Sequence, residues 1–512
     1  MARPSNEAAG ALRLAAEVGA PAARPTAGDR TLTQAPTATP SELRPDLCII
    51  GGGAGGLAVA AAAAQLGVAV VLIEKHKMGG DCLNYGCVPS KALLAAARRA
   101  HAMRTPQAFG IAPVRPQIDH GAVNDHVQGV IRAIAPNDSI ERFTGLNVKV
   151  ITAPAQFVDR KRVVAGEHRI KARRFVIATG SSPEIPAIAG LDGVPYFTNE
   201  TIFNNRQRLQ HLIVIGAGPV GLELAQAHLR LGSRVTVLEA RRALGKDDPE
   251  LSDLVLERLR AEGIDIYEGI AIERIAGSGE EIEVHLAQDG DTRLIRGTHL
   301  LLAAGRNANV AGLNLEAARI KYDRRGIKVN AALLTSNRRV YAIGDVVGGP
   351  QFTHVANHHA EVVLRRALLR LPAKVNANIV PWTTFTDPEL AHVGLTEEMA
   401  RQRFGRIGVL RWPFHENDKA QAERSGDGFV KVVIDGKGRI LGASVVGRLA
   451  GEVIQMWCLA LAHGLKINHM TRWISPYPAL SEVNKRVAYG YYASVAASPL
   501  VRRVIGWLTR LG

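Results

Sequence analysis

Only four cysteines occur in 512 residues, aromatic residues make up 5% of the chain, and no run of 18 or more apolar residues is present. So few cysteines in so long a chain exclude the disulfide framework of a small secreted domain. The missing apolar run excludes a spanning helix. No second Cys/His pair stands at ligand spacing from the first, which argues against a structural zinc site with its four ligands. Acidic residues are also scarce relative to basic ones, 47 against 63, giving a formal net charge of +16. The basic residues are scattered, without aromatic interleaving or a nucleic-acid module, so no nucleic-acid partner is expected. Their expected role is to keep the protein in solution and to attract anionic ligands.

What is present is the composition of an α/β protein with room for two to four domains. Residues 1–44 are rich in Ala, Pro and Thr, lack aromatics and have no sustained amphipathic period, so a disordered tail is expected there. Its charges argue against a secretory or organellar leader. Cys48 lies in the apolar run LCIIGGG and Cys458 in a helical pattern, which reads as two inert core thiols. The remaining pair, Cys82 and Cys87, stands in GGDCLNYGCVPSK, from Gly79 to Lys91. That stretch reads as a short loop able to close a disulfide. The segment after it, KALLAAARRAHAM, reads as a helix and places Cys87 near a helix N-terminus, where a thiolate is favoured.

Two stretches carry dinucleotide-binding grammar. In the first, a strand enters GGGAGG, where Gly51, Gly53 and Gly56 fit G-x-G-x-x-G, and an Ala-rich helix leads to the strand VAVVLIE ending at Glu74. In the second, LIVIGAGPVGLELAQAHLRLGSRVTVLEA supplies Gly216, Gly218 and Gly221 and ends at Glu239. Strand, glycine turn, helix, strand and terminal acid together place a pyrophosphate at a helix N-terminus and a ribose on the acid. Two such sites imply two cofactors.

The cysteine stretch resembles the active-site segment of the flavin-dependent disulfide oxidoreductases, the family of dihydrolipoamide dehydrogenase, glutathione reductase and mercuric reductase, and the similarity runs from about Pro45 to about Val487. The resemblance implies an α/β fold with two Rossmann-like domains, for FAD and NAD(P), and a C-terminal α+β dimerisation domain. The implied limits are FAD-binding at 45–195 and 306–378, NAD(P)-binding at 196–305, dimerisation at 379–490 and a basic tail at 491–512. FAD is expected at the first glycine site, completed by Ala178, Thr179 and Gly180 and, from TSNRRVYAIGDVVGG, by Gly344 and Asp345; Gly305 lies where the chain returns to that domain. The nicotinamide nucleotide is expected at the second, NADH by reason of Glu239, with NADPH left open by Arg241 and Arg242. Lys91 and Glu223 are expected to meet beside the flavin. His354, His358 and His359 read as packed or solvated histidines, and no metal site is expected.

The mechanism implied by resemblance passes hydride from NADH to FAD and then electrons to a Cys82–Cys87 disulfide, with Cys82, expected to be the more exposed thiol, meeting the acceptor. In SPYPALSEVNKR, Tyr477 occupies the place of the histidine base that the lipoamide and glutathione enzymes carry, while Glu482 keeps the glutamate place. A phenol titrating near ~10 is a poor proton shuttle beside an imidazole near ~6.5. Mercuric reductases carry tyrosine there, but they end in a vicinal cysteine pair and this sequence ends in LTRLG. The expected acceptor is therefore a disulfide or a soft metal ion, with quinone reduction or transhydrogenation without the dithiol as the alternative. A cytoplasmic homodimer is expected. The last segment, SPLVRRVIGWLTRLG, reads as a basic amphipathic helix that either lies on the inner face of a membrane or packs on the dimerisation domain.

Overall fold

The computed structural model describes residues 42–278, 281–288, 291–493 and 498–511. Most of the expected N-terminal tail thus lies outside the described residues. Its end does not: Glu42 and Leu43 form a strand pairing in parallel with Arg169 and Ile170, because Leu43 packs against an apolar cluster that includes Ile170.

Five parallel strands make the first sheet, in the order Val340–Ala342, Arg174–Ile177, Leu47–Ile50, Val70–Glu74 and Val148–Thr152. The central strand LCII is buried throughout. Leu47 and Ile49 join one core cluster while Cys48 and Ile50 join another, so both faces are covered and the strand reads as continuous apolar sequence. Helix α1 (Ala54–Gln65) follows the central strand. A short helix α2 (Gly80–Asn84) and the long α3 (Cys87–Arg104) come next, then α4 (His120–Ile134) and α5 (Ile140–Gly145).

A second parallel sheet runs Asp265–Glu268, Arg234–Glu239, His211–Ile215 and His299–Leu302. Its glycine turn opens α6 (Pro219–Arg230), and α7 (Pro249–Glu262) follows the next strand. The chain returns to the first sheet at Val340–Ala342 and continues into α8 (Thr353–Ala367). The last region is an antiparallel sheet, in the order Pro381–Thr384, Glu389–Gly394, Ile440–Gly447, Phe429–Asp435 and Ile407–Pro413. The fully buried Trp457 donates to Asn484 beneath it at 2.7 Å. Among the described residues no helix is long and apolar enough to cross a membrane.

Candidate active site

The two glycine turns are built alike. Gly51 has φ +114°, and a Cβ there would stand 2.3 Å from the Ala178 carbonyl oxygen; at Gly56 it would stand 1.9 Å from the Gly51 oxygen. Gly216 has φ +107° and the same relation to the Ala303 oxygen at 2.4 Å, and Gly221 to the Gly216 oxygen at 2.0 Å. Only glycine fits such approaches. Helices α1 and α6 begin after Gly53 and Gly218, with no side-chain cap and no acid in the first turn. Each thus offers its first amides to a pyrophosphate, as the dinucleotides require. The terminal acids are fixed alike: Glu74 accepts from the amides of Gly52 (2.6 Å) and His76 (2.8 Å), and Glu239 from those of Ala217 (2.8 Å) and Arg241 (2.9 Å). One backbone bond per carboxylate oxygen leaves lone pairs for a ribose diol. Beside Glu239, Arg242 is paired with Asp253 at 2.5 Å.

Around the first turn, the Ala178 amide donates to Ile50. Thr179 and Gly180 are tied to Asn309 by a hydroxyl-to-carbonyl bond of 2.8 Å and an amide-to-carbonyl bond of 3.0 Å. Gly305 has φ +142° and accepts from the Glu184 amide. Gly344 has φ +69° and donates its amide to His359 Nδ1 at 3.1 Å. Asp345 accepts from Ser181 Oγ at 2.7 Å, and burial holds its carboxyl above the usual range.

The cysteine stretch is less a loop than two helix ends. Left-handed Gly79 and Gly80 turn the chain into α2, Asn84 Nδ2 closes it onto the carbonyls of Met78 and Gly80, and Cys87 is the first residue of α3. Both cysteines are free thiols, Cys87 exposed and Cys82 half-buried. Cys82 is enclosed within α2, whereas Cys87 opens α3 toward the start of α8, its Sγ 3.7 Å from Thr353 Oγ1. The hydrogen bond with Cys82 brings the Cys87 thiol down to about 6, with Thr353 and the Lys91 charge acting the same way against burial. That same bond, with burial, raises Cys82. The pair therefore holds one thiolate, on Cys87. Cys48 is fully buried and shifted upward, and burial pushes Cys458 up to about 11, so neither is reactive.

One turn beyond Cys87, Lys91 Nζ stands 2.7 Å from Glu223 Oε2 on α6. The ammonium also lies over the Phe385 ring, 4.3 Å from its centroid. The helix of the cysteines and the helix of the second glycine turn are thus joined by an ion pair. Tyr477 and Glu482 have other partners: the phenol donates to Asp418 at 2.7 Å, which raises its pKa, and Glu482 pairs with Arg486 at 2.8 Å. His354 meets the Pro381 carbonyl, His358 lies 3.8 Å from Glu361, and no metal-binding cluster occurs among the described residues.

Three residues with no motif of their own complete the site. Arg306 donates to Ser181 Oγ at 2.7 Å and stands 3.1 Å from Asp81, next to Cys82. Thr353 faces Cys87, and Phe385 faces Lys91. The sequence distances, 266 residues for Cys87–Thr353, leave no local pattern to read.

Residues 45–360 match the family described as pyridine nucleotide-disulphide oxidoreductase, and residues 380–488 match its dimerisation domain. Mercuric reductase of Streptomyces lividans is 36% identical over 468 residues, 88% of this chain and 97% of the relative. Dihydrolipoyl dehydrogenase of Thermus scotoductus is 36% identical over 453 residues, 85% of this chain and 95% of the relative. Among solved structures, the Cu(II) complex of the HOCl-induced flavoprotein disulfide reductase RclA from Escherichia coli aligns with TM-score 0.78 at 28% identity, over 86% of this chain and 99% of that one.

Proposed function

The chain belongs to the pyridine nucleotide-disulphide oxidoreductases, and from that premise we propose that Cys82 and Cys87 are its redox couple and that its acceptor is a soft metal ion. As a family member it is a flavoprotein oxidoreductase carrying electrons from NADH or NADPH through FAD to a disulfide, and it carries the family's dimerisation domain. FAD supplies the step that turns a two-electron hydride into electrons for sulfur.

The observation that carries the assignment is the Lys91–Glu223 pair, which ties the helix beginning at Cys87 to the helix beginning at the second glycine turn. Lys91 sets a positive charge between the two helices, and Cys87 holds the thiolate at the start of α3. NADH is the favoured donor: Glu239 occupies the ribose position, and Asp253 engages Arg242, which could otherwise meet a 2′-phosphate. At neutral pH the reduced couple, one thiol and one thiolate, gives up two electrons and one proton. A disulfide acceptor takes both electrons and that proton and draws a second proton from solvent to become two thiols, whereas a mercuric ion takes the electrons and leaves the proton to solvent.

Tyr477, an exposed phenol held by Asp418, favours the second kind of acceptor, which needs sulfur ligands and no proton shuttle. The Cu(II) complex of RclA and the mercuric reductases among the relatives support the same class. Stopped-flow reoxidation of the NADH-reduced protein by mercuric ion, cupric ion, lipoamide and a soluble quinone tests this. A metal ion should be fastest, and lipoamide as the fastest reoxidant would contradict it.

The C-terminal helix Pro499–Leu508 has no buried residue: Leu500, Val504, Ile505, Trp507 and Leu508 are all exposed. It is therefore not packed on the dimerisation domain of its own chain. With Arg503 on the helix and Arg510 just beyond its end, the segment fits an anionic lipid surface on the cytoplasmic side of a membrane.

A further inference from the structure

Phe385 lies in the stretch TFTDPE between two strands of the antiparallel sheet, within the segment that matches the dimerisation domain. Every part of this residue is engaged. Its amide donates to Glu223 Oε1 at 2.9 Å, its carbonyl accepts from Arg98 Nη2 at 3.2 Å, and its ring lies under the Lys91 ammonium. Glu223 is thus bonded through one oxygen to the Phe385 backbone and through the other to Lys91. The three residues form a closed circuit drawn from α3, α6 and the dimerisation segment.

The following residues continue the arrangement. The Asp387 amide donates to Gln226 Oε1 at 2.8 Å, its carbonyl accepts from Gln226 Nε2 at 2.9 Å, and its carboxylate meets Arg230 at 3.0 Å. Glu389 pairs with Arg98 at 3.0 Å. Glu223, Gln226 and Arg230 recur along one face of α6, as Lys91 and Arg98 do along α3. Residues 385–389 therefore form a strap between the helix that starts at the thiolate and the helix that starts at the second nucleotide turn.

We propose that Phe385 is a positioning residue for the Lys91 ammonium, so that the dimerisation segment sets the direction of the positive charge at the redox centre. The inference rests on the reading that puts Lys91 beside the flavin. A lysine side chain turns freely, and an ion pair to one carboxylate oxygen fixes its distance but not its direction. A long hydrogen bond of 3.4 Å to Ser90 Oγ, on the same helix, adds a weak tether, and the ring supplies the third contact. It does so without a hydrogen-bond acceptor, so the charge is held in place and is not neutralised further. Glu223 alone would draw the ammonium toward α6.

The test uses the holoenzyme with Phe385→Leu, Phe385→Trp and Lys91→Met. Leucine keeps the apolar bulk and the amide bond to Glu223 but removes the π face; tryptophan keeps that face. The readouts are the midpoint potential of the bound flavin by dye equilibration, the single-turnover rate of flavin reduction by NADH, and the urea midpoint. Phe385→Leu should lower the potential and slow reduction by roughly three- to tenfold, the scale of one cation–π contact. Phe385→Trp should restore both. Should the leucine variant fold poorly by its urea midpoint, Phe385→Met provides the same comparison with a flexible apolar chain. Parent values of potential and rate in Phe385→Leu, with both changed in Lys91→Met, would overturn the proposal and leave the assignment of Lys91 standing. Parent values in Lys91→Met as well would overturn both. A lower urea midpoint at parent potential would reduce Phe385 to a structural contact.

Discussion

Cys87 has its thiol brought from an ordinary 9 to about 6 by the Cys82 hydrogen bond, the Thr353 hydroxyl and the Lys91 charge. The reduced protein therefore carries a thiolate at neutral pH and loses it as pH falls through about 6. Because the folded group binds its proton more weakly than the unfolded one, this ionisation favours the folded dithiol form at pH above 9 and the gain fades as pH falls toward about 6. The long-wavelength thiolate-to-flavin absorbance of the reduced holoenzyme should titrate with a midpoint near that value. A midpoint at ordinary thiol values would mean that Cys87 is not the group stabilised. At this scale the sequence carried much of the site but not its support. Cys82, Cys87 and Lys91 fall within one stretch of ten residues, whereas Thr353, Arg306 and Phe385 reach the site only through the tertiary fold. The short helix α2 around Cys82 was illegible for a related reason, since it is made by two left-handed glycines and the Asn84 side chain.

At the scale of elements, both glycine turns were legible because their requirements are local. Gly51 and Gly216 take backbone angles that other residues resist, and Gly56 and Gly221 admit a carbonyl where a Cβ would collide. The ends of the strands, Glu74 and Glu239, then bind back to those turns, so spacing alone located them. The two turns should be separable by mutation. Gly221→Ala puts a Cβ 2.0 Å from the Gly216 oxygen and displaces the start of α6. Purified variant should remain yellow and be reduced by dithionite, while reduction by NADH falls by about a hundredfold, the cost of a misplacement near 1 Å. Loss of flavin from this variant would contradict the assignment of the two turns. The strap at residues 385–389 was not legible, since its bonds to α6 span about 160 positions of sequence.

For the whole molecule, the proposed contact with an anionic lipid surface would draw on the net charge of +16 and on the exposed apolar face of helix Pro499–Leu508. The intact protein should sediment with vesicles containing phosphatidylserine and be released as salt rises, whereas a protein lacking residues 498–512 should stay in the supernatant. Failure of the intact protein to bind would remove the lipid surface from the account. The composition of the segment was readable, but whether it packed on its own chain was not, because an amphipathic pattern does not specify what covers its apolar side.

The central claim is that electrons leave the flavin through Cys82 and Cys87. Anaerobic titration with NADH, followed in the visible spectrum, measures this directly for the parent and for Cys82→Ser. The parent should take up four electrons per subunit, two in the flavin and two in the cysteine couple, with a long-wavelength band from the Cys87 thiolate. Cys82→Ser should take up two and lose acceptor turnover. Uptake of only two electrons by the parent, or unchanged acceptor turnover in the variant, would contradict the claim.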